Sequence, residues 1–381
     1  MRRVVYVTGT RADYGLFFQA LRRIEEHPEL DLSLIVTAMH LAPEFGYTVR
    51  LVEEDGFAIA ARVESLLAGD SGGSMSRSIG LGILGLTQAL ESIRPDILIV
   101  LGDRGEMLAG AIAATHLNIA VAHVHGGEVS GTIDESVRHA ITKLAHLHFP
   151  STAENGERIV RMGEEPERVH VVGAPGLDYL RFVEPISRAE IEADLDLDLS
   201  EPVLLLTQHP VTTEVESAAW QMRQTLEAIK ALGVQTVATY PNADSGGRAM
   251  IRVLHEYESL PFLRIRQTLG QRRYASMLRY ASAMVGNSSS GIIEAPFFGL
   301  PVVNVGSRQQ GRQRAENVLD VVCDRDEIEQ AIRTALTDRE FVQRARHGTN
   351  PYGDGHAGER IAEALAAMPL DRRFLQKRLA Y

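Results

Sequence analysis

The segments LGDRGE (101–106), HVHGGE (123–128) and GTIDES (131–136) carry the strongest structural signal in this chain. An apolar run from Asp96 to Leu101 halts at Gly102 and presents Asp103 and Arg104, and a second run from Ile119 to Val124 halts before His125, Gly126, Gly127 and Glu128. Strands buried in a parallel sheet read as continuous apolar runs. The loops at their carboxyl ends line the ligand crevice of an open α/β sheet, so two strand ends bearing Asp, Arg, His and Glu predict an active site.

Outward from these segments, short apolar runs alternate with helical periods. Val4 to Thr8, Leu32 to Thr37 and Phe57 to Val63 are predicted strands, with an amphipathic run Leu16, Phe17, Ala20, Leu21 and Ile24 after the first. Such alternation predicts a doubly wound parallel sheet. The stretch Gly173-Ala174-Pro175-Gly176 and the acidic segment that follows predict a joint, after which the alternation restarts. Val203 to Thr207, Val234 to Thr239, Phe262 to Ile265, Ala283 to Gly286 and Pro301 to Val305 are the strands expected there. The expected organisation is an α/β fold of two Rossmann-like doubly wound domains facing a cleft. The first spans 1–178, the second 179–365, and a tail helix in 366–381 packs back on the first.

With 381 residues, 45% of them hydrophobic, each domain can bury a core. The formal net charge of −11 argues against nucleic acid or an anionic membrane as partner. The single cysteine, Cys323, excludes an internal disulfide, and no apolar run approaches bilayer length, so a cytoplasmic location is expected. Thirteen histidines invite a metal reading, but none of the spacings that bind metal is present, and most are assigned structural roles. Gly80, Gly82 and Gly85 spell G-x-G-x-x-G without a preceding strand, which points to a small-residue helix face rather than a dinucleotide loop.

Several polar groups fall at predicted strand ends. Arg11, in GTRAD, could hold a phosphate at a helix start or lie on the surface, while Asp13 is the expected helix cap. In GNSSSG (286–291), three hydroxyls, Ser288, Ser289 and Ser290, are more than one N-cap requires and suit a diphosphate. Glu294 could accept the hydroxyls of a ribose or complement a helix dipole. His209, Asn242 and Arg308 each end a strand; each signal is weak alone, and together they favour a nucleotide site. The nucleophile elbow, the P-loop and the kinase signature are absent. What remains is carboxylate and imidazole chemistry from Asp103, His125, Glu128, Asp134 and Glu135, with helix capping as the alternative for Asp103 and Asp134.

TGTRADYG, LGDRGEMLAGAIAA, HVHGGEVSGTIDESVRHAITKLAHLHF, VGAPGLDYL, GNSSSGIIEAPFFGLPVVNVGSRQQGR and NPYGDGHAGERI together closely resemble the hydrolysing UDP-N-acetylglucosamine 2-epimerases of sialic-acid synthesis and their bacillosamine-type relatives. The resemblance implies a GT-B glycosyltransferase-like fold, no metal or cofactor, and a homodimer or homotetramer. The implied reaction removes the C2 proton, expels UDP, and adds water with inversion at C2 to release a free 2-acetamido-mannose-type sugar. Arg11, Arg104, His209, Asn242, Ser288, Ser289, Ser290, Glu294 and Arg308 take the UDP-sugar contacts. Asp103, His125 and Asp134 take the acid/base positions, with Glu128 as a further participant or a structural residue of the Gly-Gly turn. The sialic-acid branch usually has EGGE where this chain has HGGE. The expected substrate is UDP-N-acetylglucosamine. The alternatives are UDP-2,4-diacetamido-2,4,6-trideoxy-glucose, toward legionaminic acid, or a UDP-sugar-binding protein impaired in catalysis.

Overall fold

The computed structural model describes residues 1–69, 71–129, 133–242 and 244–380, so Gly131 and Thr132 of the GTIDES segment lie outside the described residues. The chain forms two compact units, Met1–Arg181 with Tyr352–Tyr381, and Phe182–Pro351.

In the first unit, β1 (Arg2–Thr8), β2 (Leu30–Thr37), β3 (Ile59–Val63), β4 (Ile97–Leu101), β5 (Ala120–Val124) and β6 (Leu147–Phe149) form a parallel sheet in the order β3-β2-β1-β4-β5-β6. Every residue of β4 and β5 is buried, because alternate side chains enter two different cores. Ile97, Ile99, Ala120 and Ala122 pack with Phe17, Leu21, Ile361 and Leu365. Leu98, Val100 and Val121 pack with Leu86, Leu90, Met107 and Ala111. The continuous apolar runs follow from this double burial, and the predicted alternation is present.

The second unit repeats the architecture. Its strands are β7 (Val203–Thr207), β8 (Gln235–Thr239), β9 (Leu263–Arg266), β10 (Ala283–Gly286), β11 (Val302–Val305) and β12 (Val318–Val321), all parallel, in the order β12-β11-β10-β7-β8-β9. Both sheets thus have the doubly wound order in which the connection reverses between the first and fourth strands, here β1/β4 and β7/β10. Leu204, Leu206, Val285 and Val303 face one core, and Leu205, Val237, Met284 and Val302 face the other. β6 and β12 were not among the expected strands; each has four residues or fewer, too short for a clear period.

The expected boundaries need correcting. The chain leaves the first unit after Arg181 and returns at Tyr352, so residues 352–365 belong to the first unit and not to the second. The cause is the docking of helix Ala357–Ala367 on helix Arg11–Glu26. Its first free amides, Ala357 N and Gly358 N, donate to the buried Asp178 carboxylate at 3.0 and 2.7 Å. Burial pushes the Asp178 carboxyl up from its ordinary pKa, while these two amides pull it back. Gly358 permits the contact, since a Cβ there would lie 2.7 Å from Ala20 Cα. Phe374, from the short helix Arg372–Leu375, joins the same core.

Gly80, Gly82 and Gly85 lie within helix Gly72–Ile93, where Gly82 meets Ala109 and Gly85 meets Val63, the small-residue face expected of them. Among the described residues no helix is long and apolar enough to cross a membrane. Gly358→Val should overpack the Ala20 contact and destabilise the protein by about 1–3 kcal/mol. Urea unfolding monitored by circular dichroism measures this, and an unchanged midpoint would contradict the packing.

Candidate functional site

At the β1/β4 reversal and the neighbouring end of β5, the first unit gathers its charged groups. Arg138, on helix Ile133–Leu144 and only 7% exposed, donates to the Asp103 carboxylate and, at 2.9 Å, to the Glu128 carbonyl. The capping alternative for Asp103 therefore gives way to an ion pair. The residue at the N-cap of helix Gly105–His116 is Arg104, which makes no side-chain cap bond. Arg138 was missed in the sequence, although its place four residues after Asp134, on an amphipathic helix, was a usable signal.

His125 follows β5 with φ 63°, a left-handed conformation that costs a non-glycine residue about 1–2 kcal/mol. Its amide donates to Phe149 O at 3.1 Å. Its Nδ1 lies 3.3 Å from Glu128 Oε1, which also accepts from Ser151 Oγ at 3.0 Å. Among the described residues, the buried Nε2 of His125 has no hydrogen-bond partner. Buried polar atoms are ordinarily paired, and among the described residues Gln208, Asn242 and Gln309 also keep buried side-chain atoms without a partner. Asp134 is exposed in the first turn of its helix; the residue that would cap that helix, Thr132, lies outside the described residues.

The neighbouring histidine works differently. His123 is fully buried in β5, with Nε2 2.8 Å from Gly102 O and Nδ1 3.3 Å from Thr142 Oγ1. Burial pushes its pKa down to about 3, so the ring is neutral and Nε2–H donates to the carbonyl. His123 thereby ties the loop bearing Asp103 to the helix bearing Arg138, the structural role expected of most histidines.

Arg11 is exposed in the first turn of its helix. Asp13 completes a capping box with Thr10, as expected. Thr8 Oγ1 donates to Asp13 Oδ2 at 2.6 Å, so the nearby His40 Nε2, 3.0 Å away, donates to Thr8. His40 also escaped the sequence reading. Arg104 Nε pairs with Glu106 Oε1 at 2.8 Å. Burial would lower the Arg104 pKa, but Glu106, Asp13 and Asp134 outweigh it and raise it. Arg104 and Asp134 therefore share one electrostatic neighbourhood.

In the second unit the residues that end β7 and β10 interlock. His209 N donates to Asn287 Oδ1 at 2.7 Å, and Asn287 Nδ2 donates back to His209 O at 2.9 Å. Gly286 makes this crossing possible with φ 125°; a Cβ there would sit 2.2 Å from Thr207 O. Arg308 and Gln309 both donate to the Asn287 carbonyl, at 3.1 and 2.8 Å. Asn242 N donates to His209 Nδ1 at 3.0 Å. Burial, with Arg308 nearby, lowers the His209 pKa to about 4, so the ring is neutral and Nε2 carries its proton as a donor. Sequence spacing alone could not have found Asn287 as the hub joining His209 and Arg308, with Asn242 reached through His209.

The serine loop is partly self-engaged. Ser288 caps a helix of only five residues, Ser289–Ile293, and Ser290 Oγ donates to Glu294. Glu294 stands at the C-terminal end of that helix, so the dipole alternative does not apply. Burial pushes its carboxyl pKa up, opposed by the Ser290 hydrogen bond. Among the described residues, no group of three or more His, Cys, Asp or Glu is placed to hold a metal ion.

Neutral His123 carries a pH consequence. Between its ordinary value of 6.5 and its folded value of about 3, the unfolded ring binds a proton that the folded ring does not. Stability should therefore fall as pH drops through this window, at up to about 1.4 kcal/mol per pH unit for this group. Guanidinium unfolding at a series of pH values measures the slope, and His123→Gln should flatten it.

The family described as UDP-N-acetylglucosamine 2-epimerase matches residues 22–366. The chain is 44% identical, over 100% of both chains, to the UDP-N,N'-diacetylbacillosamine 2-epimerase (hydrolyzing) of Legionella pneumophila. It is 33% identical to a UDP-N-acetylglucosamine 2-epimerase of Neisseria meningitidis serogroup B, over 90% of this chain and 89% of the relative. The crystal structure of UDP-GlcNAc 2-epimerase from Neisseria meningitidis bound to UDP-GlcNAc superposes with a TM-score of 0.80 at 18% identity, covering 95% of this chain and 99% of that one. With a GT-B-like α/β fold in two units and these matches along its length, the chain belongs to the UDP-N-acetylglucosamine 2-epimerase family.

Proposed function

We propose that this protein is a hydrolysing 2-epimerase whose substrate is UDP-N,N'-diacetylbacillosamine, the UDP-2,4-diacetamido-2,4,6-trideoxy-glucose that stood as the alternative to UDP-N-acetylglucosamine. The observation that carries the choice is the full-length likeness to the Legionella enzyme, 44% against 33% for the meningococcal one. His125, in place of the glutamate of the sialic-acid branch, is in keeping with it.

In the first half-reaction a base takes the C2 proton, the C1–O bond breaks, and its electron pair leaves on the β-phosphate of UDP. A glycal-like alkene remains. In the second, a proton reaches C2 from the opposite face and the hydroxyl of water bonds to C1, which yields the free C2-inverted sugar. Asp103, His125 and Asp134 carry these protons. His125 Nε2, without a hydrogen-bond partner among the described residues, has an open valence for the task, and Glu128 with Ser151 holds the ring's other nitrogen. Arg138 fixes Asp103. Arg11, Arg104, His209, Asn242, Ser288, Ser289, Ser290, Glu294 and Arg308 contact the UDP part of the substrate. Cationic and N–H donors suit the diphosphate, and a Glu294 carboxyl beside Ser290 suits a ribose diol.

Turnover in deuterated water, with no acceptor sugar, should release UDP and place deuterium at C2 of the product. Retention of the original C2 hydrogen would overturn the mechanism. With the two UDP-sugars supplied in parallel, kcat/KM should be higher for the diacetamido substrate. Asp103→Asn should lower kcat by about 10²–10⁴-fold, as for a lost proton-transfer group, while the melting temperature still rises on adding UDP.

A further inference from the structure

The end of the chain converges on the helix that carries Asp134 and Arg138. The last turn of any helix leaves carbonyls without intrahelical partners, and a cation there is favourable. For helix Ile133–Leu144 that cation comes from far along the chain. Lys377 Nζ lies 3.1, 2.8 and 2.8 Å from the carbonyls of Thr142, Lys143 and Ala145. It also pairs at 2.6 Å with Oε2 of Glu164, whose side chain is fully buried. Only 15% of the Lys377 side chain is exposed.

Both partners are themselves held. Glu164 also binds Lys143 at 2.6 Å and His148 at 3.2 Å. Burial would raise its pKa, but the three hydrogen bonds outweigh it and bring it down to about 2. The tail is pinned by Phe374, 7% exposed, whose ring lies 4.5 Å beneath the Arg168 guanidinium and whose carbonyl accepts from Arg168 at 2.8 Å. Farther on, Ala380 N donates to Gly163 O at 3.0 Å. Lys377 is therefore anchored at both ends of its reach. The helix it caps touches the candidate site at two points, Arg138 on Asp103 and Thr142 on His123.

We propose that Lys377 is a positioning residue, holding the C-terminal end of helix Ile133–Leu144 so that Arg138 stays on Asp103 and Asp134 keeps its place. The inference rests on the function proposed above for its catalytic consequence, but the anchoring itself does not. A cation pulled into this helix end fixes the helix along its axis, and Arg138 lies one turn before the carbonyl of Thr142. Removing the cation lets the helix end fray, and the guanidinium loses its fixed distance to the carboxylate. Misplacement of a reacting group reduces turnover with little change in substrate binding.

The test compares the full-length protein with Lys377→Met and Lys377→Arg by amide hydrogen exchange over residues 133–145 and by kcat and KM for UDP release. Lys377→Met should speed exchange in this helix by about tenfold. It should lower kcat by about 10-fold to 100-fold with KM within about twofold, and Lys377→Arg should recover both. If Lys377→Met does not fold, Lys377→Gln, which keeps a donor without the charge, makes the same comparison. Unchanged exchange in the helix would overturn the proposal, as would a lower melting temperature with kcat intact. A wild-type protein that releases no UDP would refute the proposed function alone, because the exchange comparison still decides whether Lys377 holds the helix.

Discussion

A parallel sheet has to be covered on both faces, and in this protein that requirement governs the path of the whole chain. The first unit cannot complete one of its layers from its own first 181 residues. Its sheet is closed by helix Ala357–Ala367, which arrives only after the second unit has been made. Asp178 receives that helix at its N-terminus, and Gly358 lets it lie against Ala20. The acidic residue that had looked like part of a linker is thus the socket for the chain's return.

With the sheets closed, the strand ends become the fixed points on which the chemistry is mounted. In each unit the groups at the ends of paired strands are bound to each other before any substrate is considered. Arg138 joins Asp103 to the Glu128 backbone in the first, and Asn287 joins His209 to Arg308 in the second. Such cross-ties hold side chains at defined separations, which is what positioned proton transfer and diphosphate recognition require. Among the described residues, His125 Nε2 shares with Asn242 Oδ1 and Gln309 Oε1 the lack of a hydrogen-bond partner, so these groups keep some polar atoms uncommitted.

Burial sorts the histidines into roles. His123 and His209 are pushed to the neutral form, His123 wholly within the sheet and His209 beside Arg308, and each then presents a defined tautomer. Charge is concentrated instead where it can be shared, as at Glu164, which serves Lys143, Lys377 and His148 together. A buried carboxylate is tolerable only with such company.

Much of this was legible in the residues. The apolar runs located ten strands, because complete burial leaves a run with no polar face, and the polar residues that halt them marked the strand ends. Asp103, His125, His209 and the serine loop were found in that way. The resemblance of the motifs then placed the chain in its family. Other features had no local signature. Arg138 on Asp103, Asn287 at the centre of its group, Asp178 under helix Ala357–Ala367 and Lys377 on the carbonyls of Thr142, Lys143 and Ala145 all join residues far apart in the chain or on different elements. Periodicity records which face of an element is buried, and so the sequence by itself determined the elements and their order. Which side chain meets which depends on how those elements pack, and that only the tertiary structure decided.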